Sequence, residues 1–415
     1  MRLREVQPAA TPLDEIDLFP AEWYQSGDPH AAWRTLRETR PVWRQETPEG
    51  VPFWSVTRYQ DVVAVLRDTA RFSSEYSTML TVLGDGDTAR GKAIHLMDPP
   101  RHGAVRSSAI PALSMRAMRR HEDAIRKRIR ELLVTAVERG RCDFAEAMTV
   151  LPMVVSGAVL GVPEREWVET AKWTVASMAP DDPAYTVGDP RSTLLEAHVY
   201  LFSMFSELVE ARRAEPADDL VSQLVAMRID GRPATDEEVL VNCYAVIMGA
   251  NPTIPQAAAH LVLVLADRPD LWRRLREEPA LVGPVVEETL RWSSPVNHLL
   301  RRAAEEVRLG DETVPAGGLV VAWLGSANRD EQVFTDPFRY DPDRASNPHV
   351  AFGYGAHRCV GNSTAQLGLQ ILLEEMIATV GTIEIDGEVS HLRSNFLNGV
   401  TRLPVSMTEV PVVNG

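Results

Sequence analysis

The sequence predicts a mainly α protein with small β-sheets (α+β), folded as a single large domain over residues 1–415. Most of the segment 111–270 carries apolar residues at the spacing of amphipathic helices. Short β-branched and aromatic runs concentrate before residue 100 and near the C-terminus. The sequence contains no repeat, Gly/Ser linker or low-complexity block that would divide the chain. We therefore expect a helical core over about 95–380, a β-rich region over about 35–75, and further strands at the C-terminus.

Composition and charge exclude several classes of protein. Apolar residues make up 45% of the chain and charged residues 24%, which is typical of a globular protein. Lys and Arg total 43 against 58 Asp and Glu, and the net charge of −15 argues against binding to nucleic acid or to an acidic membrane surface. No apolar run occurs in residues 1–30, so we expect no signal peptide or membrane anchor. Three widely spaced cysteines fit the reducing cytoplasm.

The regular elements are predicted in order along the chain. The runs Val42–Gln45 and Pro52–Thr57 flank a Pro-Glu-Gly turn and predict a β-hairpin. Short strands are predicted at Val307–Leu309 and Val320–Leu324. Apolar periodicity predicts helices at Met118–Arg139, Val150–Leu160, Trp167–Met178, Leu194–Arg213, Leu220–Met227, Val282–Trp292 and Asn362–Val380.

A long, almost uncharged helix is predicted over Val239–Leu265, behind a capping box formed by Thr235 and Glu238. Pro252 and Pro255 fall inside this helix. Each proline removes a backbone N–H donor and clashes with the carbonyl four residues earlier. Two interpretations stay open: two shorter helices meet at a loop, or one helix is kinked beside a ligand.

A glycine-punctuated loop over 351–361 presents Cys359 just before the last predicted helix. Backbone N–H groups and the positive end of the helix dipole favour a thiolate at such a position, so we expect a lowered pKa for Cys359 and a role as ligand or nucleophile. Gly353, Gly355 and Gly361 allow a tight turn and leave room for a flat, bulky group against the backbone. A planar metal macrocycle fits this description.

The loop matches the pattern Phe-x-x-Gly-x-x-x-Cys-x-Gly, with Phe352 at its start and Gly361 at its end. In this it resembles the haem-ligating loop of cytochrome P450 monooxygenases. The resemblance implies the cytochrome P450 fold and a haem b (iron protoporphyrin IX) whose axial ligand is the Cys359 thiolate, with Phe352 and Gly361 in the cofactor-binding loop. A structural cysteine is the alternative interpretation. A thiol protease requires His and Asn or Asp partners that the sequence does not suggest.

Four cations stand in further motifs of the same family. His102 and Arg106, in Asp-Pro-Pro-Arg-His-Gly-Ala-Val-Arg, lie four residues apart on one predicted helix face and can donate to one anion. The resemblance implies that they bind the haem propionates, together with His357 and with Arg301 rather than its neighbour Arg302. A surface charge is the alternative interpretation of each.

A structural cluster is also implied. Glu288 and Arg291 lie three residues apart on a predicted helix, which by itself is typical of a solvated ion pair. The pair resembles the Glu-x-x-Arg motif of the family, and Arg344, in Tyr-Asp-Pro-Asp-Arg, resembles its third partner. Such a cluster must be satisfied internally if it is buried.

The proposed chemistry requires protons as well as dioxygen. Counting back from Glu288 by the spacing usual in the family places Thr253 beside the bound dioxygen, and Asn251 close by. Pro252 stands where the family usually has an acid, so the usual proton donor is missing. Three accounts stay open: protons pass through Asn251, through a water held by freed carbonyls, or through a polar group of the substrate; the hypothesis is a substrate-dependent relay. The alternative is a different oxidant.

The substrate pocket is assigned by family position. The expected segments are Tyr76–Ile94, Pro180–Leu195, Val296–Leu300 and Phe396–Leu397. Single residues expected to line it are Val246, Ala250, Asn297, His298, Phe396 and Leu397. Most are apolar or small, which suits a mainly hydrophobic substrate, although each could equally be ordinary core.

Electrons must come from other proteins, because the chain carries no Gly-x-Gly-x-x-Gly loop and therefore no sign of a fused flavin or NAD site. The resemblance implies a separate ferredoxin and ferredoxin reductase. A local basic patch behind the cysteine would suit an acidic ferredoxin, unless its members pair with neighbouring carboxylates. The expected members are Arg116, Arg119, Arg120, Arg344 and Arg358.

The prediction from sequence is thus a cytoplasmic haem-thiolate monooxygenase that oxidises a small molecule of secondary metabolism. Pro252 keeps open an atypical chemistry, such as nitration or coupling of aromatic rings. A haem-thiolate protein that senses a gas or recruits a partner without turnover is a second alternative, and a helical recruitment module without haem is a third.

Overall fold

Helices dominate the computed structural model, which describes residues 8–26, 29–82, 84 and 86–410. In chain order the α-helices are α1 (Ala21–Ser26), α2 (Pro29–Thr39), α3 (Tyr59–Arg67), α4 (Arg101–Leu113), α5 (Met115–Arg119), α6 (Glu122–Glu138), α7 (Phe144–Ala147), α8 (Leu151–Leu160), α9 (Trp167–Met178), α10 (Pro190–Ala214), α11 (Leu220–Val225), α12 (Asp236–Ala250), α13 (Ile254–Asp267), α14 (Pro269–Glu277), α15 (Val282–Ser293), α16 (Leu324–Ala327) and α17 (Asn362–Thr379). Short 3-10 helices occur at Leu13–Glu15, Ile94–Leu96, Glu164–Glu166, Pro279–Leu281 and Gly355–His357.

The strands form small, separate sheets. They are β1 (Val42–Glu46), β2 (Pro52–Val56), β3 (Phe72–Ser73), β4 (Arg141–Asp143), β5 (Arg228–Ile229), β6 (Arg232–Pro233), β7 (His298–Ala303), β8 (Val307–Leu309), β9 (Glu312–Val314), β10 (Leu319–Trp323), β11 (Val380–Ile385), β12 (Ser390–His391), β13 (Val400–Arg402) and β14 (Pro404–Glu409). The largest sheet has the order β1-β2-β10-β7-β3. The predicted hairpin is present as β1 and β2, and β10 runs parallel to β2. The expectation of a mainly α protein with small sheets is confirmed.

The long central helix is two helices. The capping box forms as predicted, since the Thr235 hydroxyl accepts from the Glu238 amide while the Glu238 carboxylate accepts from the Thr235 amide. The prediction of one helix over Val239–Leu265 is wrong, because α12 ends at Ala250 and α13 begins at Ile254. Pro252 lies in the interruption and Pro255 lies in the first turn of α13, so the interpretation of two helices meeting at a turn is the correct one.

Two other boundaries differ from expectation. The predicted helix Met118–Arg139 is divided into α5 and α6 by a turn at residues 120–121. Ser114 caps α5, its hydroxyl accepting from the Ala117 amide, so a short helix begins before the predicted one.

The largest apolar core lies between the helices and includes most of the buried residues of α13 and α17. A second core lies between one face of the large sheet and α3. None of the helices in the described ranges is both long and apolar enough to cross a membrane.

Candidate active site

The cysteine loop connects an irregular segment to the start of α17. Gly353 and Gly355 have φ values of +69° and +71°, and a Cβ on Gly355 would lie 2.9 Å from the Leu66 carbonyl oxygen, so glycine is required there. The Cys359 amide donates to the Phe352 carbonyl at 2.8 Å, which closes the loop. Phe352 packs against the large helical core. The backbone geometry of the loop therefore fixes the position of the Cys359 sulfur.

The electrostatics of Cys359 correct one expectation. Burial raises the pKa of the Cys359 thiol and outweighs the opposing effects of the Gly361 amide, Arg106 and Arg358. The start of the helix does lower the pKa of Cys359, as expected, but desolvation raises it by more. Desolvation disfavours a buried thiolate that has no cation bonded to it. A metal cation bonded to the sulfur would reverse that balance.

One of the four predicted propionate-binding residues, His357, belongs to the loop, and the other three lie near it. His102 on α4 is buried, and its ring lies 4.1 Å from that of His357 between centroids. Burial, followed by the nearby charges of Arg301, His102 and Arg106, lowers the pKa of His357 to about 2. Burial also lowers the pKa of Arg106. Each of these groups is therefore held where positive charge is disfavoured.

Arg301, and not Arg302, faces this cluster. The Arg301 side chain is 2% exposed, and burial lowers its pKa to about 10. Arg302 is exposed and stacks on Tyr76. His95, on the 3-10 helix at Ile94–Leu96, belongs to the same group, because its charge acts on His357 and Arg301 acts on it. No motif in the sequence marks His95, and sequence reasoning missed it.

The residues present fit a thiolate-ligated haem. Nε2 of His357 is buried without a hydrogen-bond partner among the described residues, and Arg301 forms no ion pair with any of them. Buried donors of this kind require an acceptor, and a group carrying two carboxylates would supply it. A Cβ on Gly361 or on Gly249 would meet nothing within 4 Å, so the backbone is accessible to a flat group at both places.

The structure brings Glu288, Arg291 and Arg344 together. Arg291 donates to both carboxylate oxygens of Glu288 at 2.6 and 2.7 Å, and Nε of Arg344 donates to Oε1 at 3.1 Å. Both side chains of the first pair are 0% exposed. The Asp341 amide and the Asn347 side-chain amide also donate to Glu288. The carboxylate is thus fully satisfied in a place from which water is excluded.

The turn between α12 and α13 separates two residues that the sequence placed together. The Thr253 hydroxyl donates to the Gly249 carbonyl at 2.7 Å and is partly accessible, as are Ala250 and Val246, one and two turns earlier. Asn251 is 0% exposed, and its side-chain amide donates to the Thr174 hydroxyl on α9 at 2.8 Å. The side chain of Asn251 is therefore committed to α9 rather than to the accessible face that carries Thr253.

Four of the expected pocket segments meet in one apolar cluster. Phe396 and Leu397 pack with residues from the other three segments and from the end of α9. The remaining members of that cluster are Ala179, Leu392, Met79, Met178, Tyr185 and Val296. His298 lies behind it, 0% exposed, with its Nε2 accepting from the Leu80 amide and its ring against Phe396. Asn297 is 3% exposed and donates to the Asn395 carbonyl.

The expected basic patch is smaller than the sequence suggested. Arg116, Arg119 and Arg358 are exposed. The α4–α5 junction contacts the start of α17 where the Thr364 hydroxyl donates to the Leu113 carbonyl, so α5 lies beside the cysteine loop. Including Arg344 was wrong, because its guanidinium turns inward to Glu288 and is 7% exposed. Arg120 is exposed but pairs with Asp218 at 2.8 Å.

Comparison with known proteins gives consistent matches. The sequence matches the family model described as cytochrome P450 over residues 165–380. Linalool 8-monooxygenase of Pseudomonas putida is 32% identical over 406 residues, which cover 95% of this chain and 99% of that protein. Erythromycin C-12 hydroxylase of Saccharopolyspora erythraea is 33% identical and covers 89% of this chain and 92% of its own length. The solved structure of P450 OxyD, involved in the biosynthesis of vancomycin-type antibiotics, has a TM-score of 0.85 at 33% identity and covers 95% of this chain and 100% of that one.

Replacing Glu288 tests the buried cluster. Glu288→Ala leaves two buried guanidiniums without their carboxylate, and we expect a loss of about 3–5 kcal/mol in the free energy of unfolding. The expected result is insoluble or colourless protein, and soluble yield and Soret absorbance relative to wild type measure it. Glu277→Ala removes an exposed carboxylate and is the matched control. A coloured, soluble Glu288→Ala protein would contradict the assigned role.

Proposed function

The chain belongs to the cytochrome P450 family of monooxygenases, and on this premise we propose that it hydroxylates, or otherwise oxidises, a mainly hydrophobic small molecule of secondary metabolism. The observation that carries the proposal is the conjunction of Cys359, on a loop that a bulky flat group can approach, with the unpartnered buried Nε2 of His357 and the buried Arg301, which forms no ion pair with any described residue. Relatives named for linalool and erythromycin oxidation support the substrate class.

We assign the residues that hold the cofactor from the site itself. Cys359 supplies the thiolate ligand of haem, and His102, Arg106, Arg301 and His357 supply the donors for its two propionates. A haem with a thiolate ligand activates dioxygen for insertion into an unactivated C–H bond. The cationic cluster has the additional effect of holding the propionates in ionised form.

Thr253 provides the hydroxyl of the proton path. Its Oγ donates to the Gly249 carbonyl, which leaves the oxygen lone pairs free to accept from a water or a substrate hydroxyl. Asn251 acts at a distance from this path as a positioning residue, since it ties the turn to Thr174. With proline at position 252, the proton has to come from a water or from the substrate, so coupling depends on the substrate.

The pocket favours an apolar substrate of modest polarity. The apolar cluster around Phe396 offers aromatic and aliphatic side chains, and Val246 and Ala250 offer small ones on α12. His298 already uses Nε2 with the Leu80 amide, so its contribution is to shape the pocket wall.

An electron-donating protein binds over α5 and the cysteine loop. Arg116, Arg119 and Arg358 form a local positive surface on a chain of net charge −15, which suits an acidic ferredoxin served by a separate reductase.

Pro252 also favours a second candidate function. An enzyme without the usual acid would suit an oxidation that needs no proton delivery on that helix, such as coupling of aromatic rings. Product analysis separates the two, because hydroxylation adds one oxygen atom from labelled dioxygen to the product and ring coupling adds none.

The spectrum with carbon monoxide tests the thiolate. We expect the dithionite-reduced protein treated with carbon monoxide to show a red-shifted Soret band, because a thiolate donates electron density to the iron. Cys359→Ser should abolish that band. Cys142→Ser, a partly buried cysteine on β4, should leave it unchanged. An unshifted wild-type band, or an unaffected Cys359→Ser protein, overturns the proposal.

Peroxide release tests the proton path. Thr253→Ala should lower product formation by about tenfold to a hundredfold while NAD(P)H consumption continues, with the difference appearing as hydrogen peroxide. Thr253→Ser keeps the hydroxyl and should stay well coupled. Thr174→Val removes the acceptor of the Asn251 amide, and we expect coupling to be retained. Equal uncoupling in Thr174→Val and Thr253→Ala would move the path to Asn251.

Charge reversal tests the docking surface. Arg116→Glu combined with Arg119→Glu should slow reduction by an acidic ferredoxin and flatten the dependence of that rate on salt, since electrostatic steering is lost. Arg308→Glu changes an exposed arginine on β8 and is the control. Stopped-flow reduction under carbon monoxide measures the rate, and an unchanged rate and salt dependence in the double variant refutes this surface.

A further inference from the structure

A cavity of about 580 Å³ lies at the C-terminal end of α15, apart from the cysteine loop. Its wall combines residues of α1, α2, α13 and β12 with the segment after β10, and it includes neither Cys359 nor Thr253. Asn297 and Leu397, both expected in the substrate pocket, lie in this wall. The cavity is large enough for a small organic molecule.

Three fully buried polar side chains line the cavity, and each has an atom without a hydrogen-bond partner in the described part of the chain. The atoms are Nε1 of Trp33, Oγ of Ser293 and Nε of Arg329. These side chains are 1%, 0% and 2% exposed, respectively. The indole and guanidinium nitrogens can only donate, so the missing partner is an acceptor.

Arg329 also brings a positive charge that no carboxylate of the described residues contacts. Its two terminal nitrogens donate to the carbonyls of Arg291 and Trp292, and its guanidinium lies 4.2 Å from the Trp292 ring centroid. Neighbouring guanidiniums do have acids, since Arg37 pairs with Glu331. Burial, followed by the charge of Arg291, lowers the pKa of Arg329 well below its usual value. A buried cation of this kind is stabilised by an anion.

The rest of the wall is largely apolar or uncharged. Burial lowers the pKa of His260 to about 4 and also lowers the pKa of His391, so both rings are neutral near pH 7. Apolar side chains in the wall are Leu263, Val389, Leu392, Leu397, Phe338 and the ring of Trp292. A small, doubly charged inorganic anion would leave the apolar side chains of the wall without contacts.

We propose that this cavity is a second binding site, next to the proposed substrate pocket and sharing Leu392 and Leu397 with its apolar cluster, that takes a small organic carboxylate with its charged end at Arg329 and its hydrocarbon body against the apolar wall. Trp33 and Ser293 supply further hydrogen bonds to the carboxylate. Because Arg329 is bonded to the last turn of α15, the bound molecule also stabilises the end of the helix that carries Glu288.

Calorimetric titration of octanoate into the haem-loaded protein tests the proposal. Saturating 4-phenylimidazole blocks the haem pocket beforehand, so that heat reports the second site alone. We expect one site per chain, with binding weakened at least tenfold for octanol and for inorganic phosphate. No heat with octanoate means that the cavity holds water only, and equal affinity for phosphate means an adventitious ion only; either result overturns the proposal.

Variants locate the site. Arg329→Gln should weaken octanoate binding at least tenfold and Arg329→Lys less, whereas Arg308→Gln, at an exposed position, should have no effect. If Arg329→Gln does not fold, two other variants test the site. Leu263→Trp fills the cavity and Ser293→Ala removes a hydrogen-bonding hydroxyl, and each should weaken octanoate binding. Octanoate binding that survives Leu263→Trp places the site elsewhere. This result overturns the proposal and does not bear on turnover at the haem.

Discussion

The position of the cysteine loop depends on the buried carboxylate of Glu288. The segment 328–354 has no helix or strand, and fixing the backbone of each residue costs about 1–2 kcal/mol. Arg291, held by Glu288, donates to the carbonyls of Asn328 and Pro337, and the Asn328 side chain accepts from the Val350 amide. One carboxylate thus neutralises the guanidinium that orders the chain leading to the loop. The position of the cysteine loop therefore depends on charge compensation on α15.

The same need for charge compensation applies to the other buried cations of this acidic chain. At Glu288 a carboxylate lies beside the buried guanidiniums, so the protein itself supplies the compensating charge. At Arg301 and His357, and separately at Arg329, the described residues provide buried donors but no acid in contact. Burying such groups is costly unless an anionic partner arrives. The net charge of −15 therefore says little about these interiors, where anion binding is a local property.

Sequence reasoning succeeded where local patterns decide structure and failed where tertiary contacts do. Helix Trp167–Met178 and strand Val307–Leu309 have the predicted bounds, because caps, turns and periodicity all act within a few residues. The motifs likewise identified Glu288 and its partners. The pKa of Cys359 was misjudged because the helix start is visible in sequence and desolvation is not. The basic patch was overestimated because ion pairs such as that of Arg120 with Asp218 join residues far apart in the sequence.

The helix break links substrate choice to chemistry. Pro252 cannot donate to the Met248 carbonyl, and Pro255 cannot donate to that of Asn251, so both acceptors stay open beside the turn. Asn251 points to α9 and holds the turn in place, which leaves the Thr253 hydroxyl on the accessible side without an ionisable neighbour on its own helix. Under the proposed function a proton then reaches Thr253 only through a mobile donor. A substrate that orders such a donor is oxidised efficiently, and one that does not consumes electrons without product, so selectivity acts through coupling as well as through affinity.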